Sequence, residues 1–280
     1  MNVARLAGLA IFLNAAAQDA GDIVRRSAQH DQVNWDRARN YTFQERVEQR
    51  DRDDKGNYAS RHSDTFETVI LYGQPFERRV AKNDKPLTGR EQQKEQDKFD
   101  REVDKRKRET NDGRAAEIDA KDRRKRQELR DEIMKAFDFR LVSEEPVDGH
   151  PCWVIAADPR ADYRPHSEEG KFLQGIRGKL WIDKADEEWV KIDAQVVRPE
   201  RFGLFLMTLS PGSALYFEQT RVNNEVWLPH KVLVRVDGRL VFKHLAQEVQ
   251  ADYRDYRRFQ TDTKISGVSE PLPELHLPTP

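Results

Sequence analysis

Residues 176–196 read IRGKLWIDKADEEWVKIDAQV, and both arms of this stretch keep the same rhythm. Ile176, Gly178, Leu180 and Ile182 alternate with Arg177, Lys179, Trp181 and Asp183. After the turn at 184–187, Val190, Ile192, Ala194 and Val196 alternate with Trp189, Lys191, Asp193 and Gln195. A period of two is strand spacing, because successive side chains point to opposite faces. The stretch therefore predicts a β-hairpin with one apolar and one polar face. Its two tryptophans, Trp181 and Trp189, are expected to stack across the outer face.

The same rhythm runs through most of the chain. Tyr41, Phe43 and Val47 form one strand, Phe66 to Tyr72 a second, and Phe76 with Val80 a third. Strand patterns return at Phe139–Ser143 and persist. Cys152 to Ala157 is apolar on both faces, which predicts a central strand. Leu215 to Gln219, Trp227 to Val236 and Leu240 through Tyr256 continue a meander. Turn signals separate these runs at 54–57, 147–149, 210–213 and 237–238. Roughly ten antiparallel strands result, apolar on one side and polar on the other. Such a sheet must curl over a core and be covered. The predicted fold is mainly β with helical cover (α+β): an unclosed antiparallel β-barrel with a short N-terminal helix and a long charged helical insertion.

Two segments supply the cover. Residues 22–36 place Ile23, Val24, Ala28 and Val33 on one helical side, with Trp35 near the end. Residues 88–136 differ in kind. Thr88 with Glu91 fits a capping box, and 29 of the 45 residues from 91 to 135 are charged, 15 basic and 14 acidic, with no proline. Opposite charges stand four apart at Asp97/Arg101, Glu102/Arg106, Asp104/Arg108, Glu117/Lys121 and Asp122/Arg126, a spacing that supports helix. Asn111-Asp112-Gly113 breaks the segment into a hairpin, and Ile133, Met134 and Phe137 are where its second helix must dock. The basic runs at 105–108 and 123–126 read as a solvated helix face, since acids are interleaved throughout.

Charged residues make up 35% of the 280, above the roughly 25% usual for globular proteins, yet 49 Lys and Arg nearly cancel 50 Asp and Glu. That balance argues against a nucleic-acid partner. Residues 6–13 (LAGLAIFL) follow Arg5 and precede Ala15-Ala16-Ala17, the order of a secretory signal with a cleavage site after Ala17. Eight apolar residues fall far short of the roughly 20 that span a bilayer. No cysteine follows the run, so the mature chain reads as periplasmic or secreted, without a lipid anchor. Cys152 is the single cysteine, a buried strand thiol by its neighbours. The division expected is signal peptide 1–17, one β domain over 18–270 that includes the 88–136 insertion, and a proline-rich tail from 271 to 280.

The pattern of a catalytic centre is not found. G-x-S-x-G, H-E-x-x-H and glycine-rich phosphate loops are missing, and the seven histidines are scattered. The reading is therefore a non-enzyme with no cofactor and no metal. Phe202-Gly203-Leu204-Phe205-Leu206-Met207-Thr208-Leu209 stands out as an apolar run without period. It fits either a strand buried on both faces or the wall of a cavity suited to an acyl chain. Candidate lining residues are Leu180, Ile182, Phe202, Leu204, Phe205, Leu206, Met207 and Phe217.

Several of these segments, in their order along the chain, resemble one family. They are Tyr41-Thr42-Phe43, the charged segment after Asn83-Asp84-Lys85, Gly178-Lys179-Leu180-Trp181-Ile182-Asp183 and Glu225-Val226-Trp227-Leu228-Pro229. The resemblance is to the outer-membrane lipoprotein-sorting proteins, the superfamily of the LolA carrier and the RseB-type envelope-stress sensor, and it covers most of residues 19–265. It implies a helix-capped, unclosed β-barrel that holds acyl chains of lipid or lipoprotein in its hollow. The chain is a divergent member by this reading, longer than the carrier and bearing the charged insertion. The expected protein is a monomeric, non-catalytic acyl-chain carrier. The alternative is an envelope sensor docking a membrane-anchored regulator. Export is checked by N-terminal sequencing of the mature protein, which should begin at Gln18; material still beginning at Met1 excludes it.

Overall fold

The computed structural model describes residues 19–259 except 54, 56, 166, 203–206 and 242. The signal-like segment, Leu204, Phe205, Leu206 and the proline-rich tail lie outside the described residues.

The first element is helix α1 (Ala20–Ala38), capped by Asp19, whose carboxylate accepts from the Gly21 amide at 2.9 Å. Its buried residues Ala20, Ile23, Val24 and Ser27 recur at helical spacing and form one stripe. Strands β1 (Tyr41–Arg52), β2 (Tyr58–Leu71), β3 (Gln74–Lys82) and β4 (Lys85–Pro86) follow. The charged segment then folds as predicted into two helices, α2 (Gly89–Asn111) and α3 (Arg114–Ala136), with Gly113 at φ +74° between them. Only glycine takes that left-handed conformation freely, and it lets the chain reverse.

Next come β5 (Phe137–Val147), β6 (His150–Pro159), a short helix α4 (Glu168–Leu173), β7 (Ile176–Asp183) and β8 (Trp189–Val196). Two three-residue strands, β9 (Glu200–Phe202) and β10 (Met207–Leu209), precede β11 (Ala214–Val222), β12 (Val226–Leu240) and β13 (Lys243–Arg258). One antiparallel sheet has the order β4-β3-β2-β1-β13-β12-β11-β8-β7-β6-β5, with β10 paired to β12 and β9 to β10. Its ends, β4 and β5, do not pair with each other, so the sheet is unclosed. The α2–α3 hairpin is the connection between those two edges.

Register explains how one face became apolar. Ile155, Leu180, Ile192, Phe217, Val232, Ala251 and Val47 stand opposite one another across seven strands, β6-β7-β8-β11-β12-β13-β1. A parallel row runs Ala157, Gly178, Ala194, Leu215, Val234 and Val249. The opposite face carries charge. Glu48 is 3% exposed there and accepts from Arg46 (3.0 Å), Arg61 (2.7 Å) and Arg50. Burial pushes its carboxyl up, but the Arg50, Arg61 and Arg46 hydrogen bonds together hold it below its ordinary value.

Helix α1 lies on the apolar face. Ile23 and Val24 pack with Trp153, Ile155 and Ile182 in one cluster, and Met134, Phe139, Leu180 and Trp189 close around it. Asn34 fixes the far end of the helix by donating to the Trp227 carbonyl (2.9 Å) and accepting from its amide (2.8 Å).

Five expectations need correction. Trp181 and Trp189 do not stack, because a register shift pairs Trp181 with Lys191 and Ile182 with Trp189. The extra residue turns Trp189 onto the apolar face and leaves Val190 packed with Trp181 on the other. The aperiodic run at 202–209 is not one strand: its two ends belong to separate short strands, with Met207 paired antiparallel to Phe202. Of the five charge pairs expected on the hairpin, only Glu102 with Arg106 forms, at 2.6 Å. Thr88 does start α2, but its side chain makes no capping bond, and Glu91 turns to Lys82 at 3.0 Å. Strand β6 is also penultimate to an edge rather than central; it is buried on both faces because Trp153 and Ile155 meet α1 while Cys152 and Val154 pack in a second cluster with Trp227.

If α1 is the plug of the apolar face, Ile23→Ala should cost about 3 kcal/mol of unfolding free energy. Val33→Ala on the same helix, at a residue 53% exposed, should cost under about 0.5 kcal/mol. Denaturant melts of both variants check the contrast.

Candidate functional site: an apolar double cavity

The helices cover the apolar face without filling it. A cavity of about 610 Å³ lies between α3, α4 and the strands. Leu129 and Ile133 come from α3 and Phe172 and Leu173 from α4, facing Phe137, Phe139, Ile176, Leu180, Ile192, Leu209 and Leu215. A second cavity of about 380 Å³ lies between α1 and α3, above Leu180, Ile182, Trp189 and Ile192. Leu129, Ile133, Leu180 and Ile192 line both, so the two adjoin. Both fall in the range of about 300–1,000 Å³ typical of small-molecule sites.

Helix α3 reaches the cavity because Arg126, Leu129, Arg130, Ile133 and Met134 recur at three- and four-residue steps and form one stripe. The stripe is apolar at its C-terminal end and basic a turn or two earlier. Arg130 is paired: its Nη1 lies 3.3 Å from Asp31 Oδ2 on α1. Asp31 Oδ1 accepts from Trp189 Nε1 at 3.0 Å, so the bulge that turned Trp189 inward also ties α1 to the β7–β8 hairpin. Arg126 stacks over the Trp35 ring at 4.5 Å.

Next to the smaller cavity the β7–β8 turn is rich in carboxylates. Asp183 is fully buried and accepts from the Ala185 and Asp186 amides at 2.9 and 2.7 Å. Glu188 is 2% exposed, and its Oε1 meets no hydrogen-bond partner among the described residues. Burial, then the charges of Asp31 and Asp186, push its carboxyl up to about 9, so it is a neutral acid at pH 7. Cys152 is buried, donates to the His150 carbonyl at 3.2 Å, and is pushed up to about 11 by burial and by Asp183. A thiol in that state is a poor nucleophile. Among the described residues no three His, Cys, Asp or Glu gather as a metal site, and no helix is long and apolar enough to cross a membrane.

Of the residues singled out in the sequence, Leu180 lines both cavities and Ile182 the smaller one. Phe217 sits in the same row as Leu180 and stacks on Trp189 at 5.0 Å, beside the lining rather than in it. Phe202 and Met207 are described in their backbone pairing alone, and Leu204, Phe205 and Leu206 lie outside the described residues. Sequence reasoning missed Leu129, Phe172, Leu173 and Trp189 as lining residues. It also missed α4, whose start at Ser167, accepting from the Gly170 amide at 2.8 Å, was legible as a capping signal.

No protein-family model matches the sequence, and no curated protein is significantly similar to it. Solved structures do overlap it. A DUF1329 family protein from Desulfovibrio piger is 12% identical with a TM-score of 0.33, over 85% of this chain and 91% of that one. A LolA superfamily protein from Nitrosomonas europaea is 10% identical with a TM-score of 0.30, over 89% and 98%. MucB in the Pseudomonas aeruginosa MucA/MucB complex is 13% identical with a TM-score of 0.23, over 86% and 99%. With TM-scores this low the architecture rests on the strand order and register described above.

Glu188 makes stability depend on pH in a defined window. Its folded value of about 9 lies above the ordinary 4.5. Below pH 4.5 both states hold the proton and there is no penalty; as pH rises toward 9 only the folded state holds it, and stability falls. Glu188→Gln should therefore stabilise the protein by about 3 kcal/mol at pH 7 and by almost nothing at pH 4. Thermal melts of both proteins across that range check the crossing; a gain independent of pH would show that Glu188 is not held neutral.

Proposed function

We propose that this chain binds acyl chains of lipid or lipoprotein in the double cavity, without chemistry, as a carrier in the cell envelope. The observation that carries the reading is the lining itself. Three helices, α1, α3 and α4, and the continuous apolar face of the sheet border adjoining spaces whose shared walls are Leu129, Ile133, Leu180 and Ile192. Protein interiors normally pack without such gaps. Each 100 Å² of apolar surface that a ligand covers contributes about 2.5 kcal/mol, enough for a chain of ordinary length to bind reversibly.

The arrangement also supports exchange of cargo. Helix α3 meets α1 and its C-cap largely through polar side chains, Arg130 with Asp31 at the cavity and Asp119 with Arg39 and Arg123 with Asp36 nearer its start, and its own last turns supply the apolar wall. Few apolar contacts hold the rest of the hairpin, so α3 can shift against α1 at modest cost. An envelope location rests on the LAGLAIFL segment and the small residues after it.

Leu215 provides the test, because it lines the larger cavity and is 38% exposed. A charge there should remain solvated and leave the fold intact. Leu215→Glu is expected to melt within a few degrees of the parent, yet to bind a fluorescent fatty acid at least about tenfold more weakly. Equal binding by the variant, or no binding by the parent protein, removes the reading.

A further inference from the structure

The smaller cavity contains a cation with an unused edge. Arg126 Nε and Nη2 are both buried and have no hydrogen-bond acceptor among the described residues. Those two nitrogens form the side of a guanidinium that grips both oxygens of a carboxylate or phosphate at once. The same chain shows the motif elsewhere: Arg46 holds both oxygens of Asp84 through Nε and Nη2 at 2.7 and 2.9 Å. Arg160 holds Asp162 the same way at 3.1 and 2.9 Å.

The neighbouring charges leave Arg126 uncompensated. Arg130, one turn on, is matched by Asp31, and Arg123 by Asp119 at 3.3 Å and Asp36 at 3.7 Å. Asp122, at the expected i, i+4 spacing, does not pair with it. Glu188, close to Asp31, is held neutral by burial. Stacking on Trp35 keeps the guanidinium in place without satisfying any of its N–H groups. A buried, charged donor left without an acceptor is costly, which makes an incoming oxyanion worth more here than at a surface arginine.

Position completes the case. Arg126 lies two turns before Ile133 on α3, roughly 10 Å along the helix axis. Leu129 and Ile133 then lead directly into the larger apolar cavity. We infer that Arg126 is the headgroup site for an amphiphile with a single oxyanion, such as a fatty acid, whose tail lies over Leu129 and Ile133. This inference rests on the acyl-chain reading and narrows it, since an esterified chain without a terminal oxyanion offers Arg126 a neutral carbonyl acceptor in place of a charged, two-oxygen partner.

The experiment compares dodecanoate with methyl dodecanoate by isothermal titration at pH 8, on the full mature chain, with Arg126→Gln and Arg126→Lys alongside. The parent should bind the acid at least about tenfold more tightly than the ester. Arg126→Gln should lose that preference and bind the acid and the ester with equal affinity. Arg126→Lys, which keeps the charge but not the fork, should recover only part of it. Thermal melts establish that each variant is folded, and Arg126→Lys serves if Arg126→Gln is not. Acetate and inorganic phosphate, as free anions, should not displace dodecanoate at millimolar concentration; if they do, the site reads an anion alone and the inference falls. Ester binding with no preference for the acid, or a preference that survives Arg126→Gln, also overturns it while leaving the acyl-chain reading in place. If neither ligand binds, both fall.

Discussion

The alternation of side chains across an antiparallel register governs this protein. Once β7 pairs with β8 so that Leu180 meets Ile192, each further strand adds an apolar residue to the same row, as far as Val47 on β1. A slip of one residue anywhere would turn that strand's apolar set to the other face, where Glu48, Arg50 and Arg235 stand. The row is therefore self-enforcing, and it obliges the molecule to find cover for one face only.

The cover is incomplete by construction. Helix α1 fills one part with Ile23 and Val24, but α3 brings a stripe that is part apolar and part basic. It also arrives at the end of a hairpin whose remaining surface is charged. The space between is what a tightly packed core would not leave. The same arrangement explains why the β7–β8 hairpin has a bulge: with Trp189 turned inward, its ring closes the cavity floor and its Nε1 holds Asp31. A structural irregularity thus links the sheet, the first helix and, through Arg130, the third helix.

Charge plays two separate parts. On the hairpin several ion pairs are exposed, such as Arg114 with Asp112 and Lys82 with Glu91, and each of these is worth a few tenths of a kcal/mol at most. On the polar face of the sheet the carboxylates of Glu48 and Glu248 are buried beneath arginines that satisfy them. Arg50 is shared by both carboxylates, so removing it weakens the compensation of two buried charges at once. Overall near-neutrality conceals this division.

The sequence by itself determined the periodic features. Strand spacing in 176–196, the helical stripe after Asp19, the Gly113 reversal and the docking of Ile133 and Met134 all depend on local geometry, which each segment carries alone. Leu180 and Ile182 were legible as lining residues for that reason. The tertiary structure decided what depends on neighbours distant in the chain. Whether Trp189 faces in or out turns on a one-residue register shift, and either register satisfies the hairpin locally. Asp122 is placed to pair with Arg126 along the helix, yet Trp35 from α1 takes that side chain and leaves its edge free. The run from Phe202 to Leu209 has no period, so nothing local distinguished one strand from the ends of two short ones. Only the pairing of β10 with the end of β12 settles it, because hydrogen bonds between strands are made by partners the local pattern does not contain.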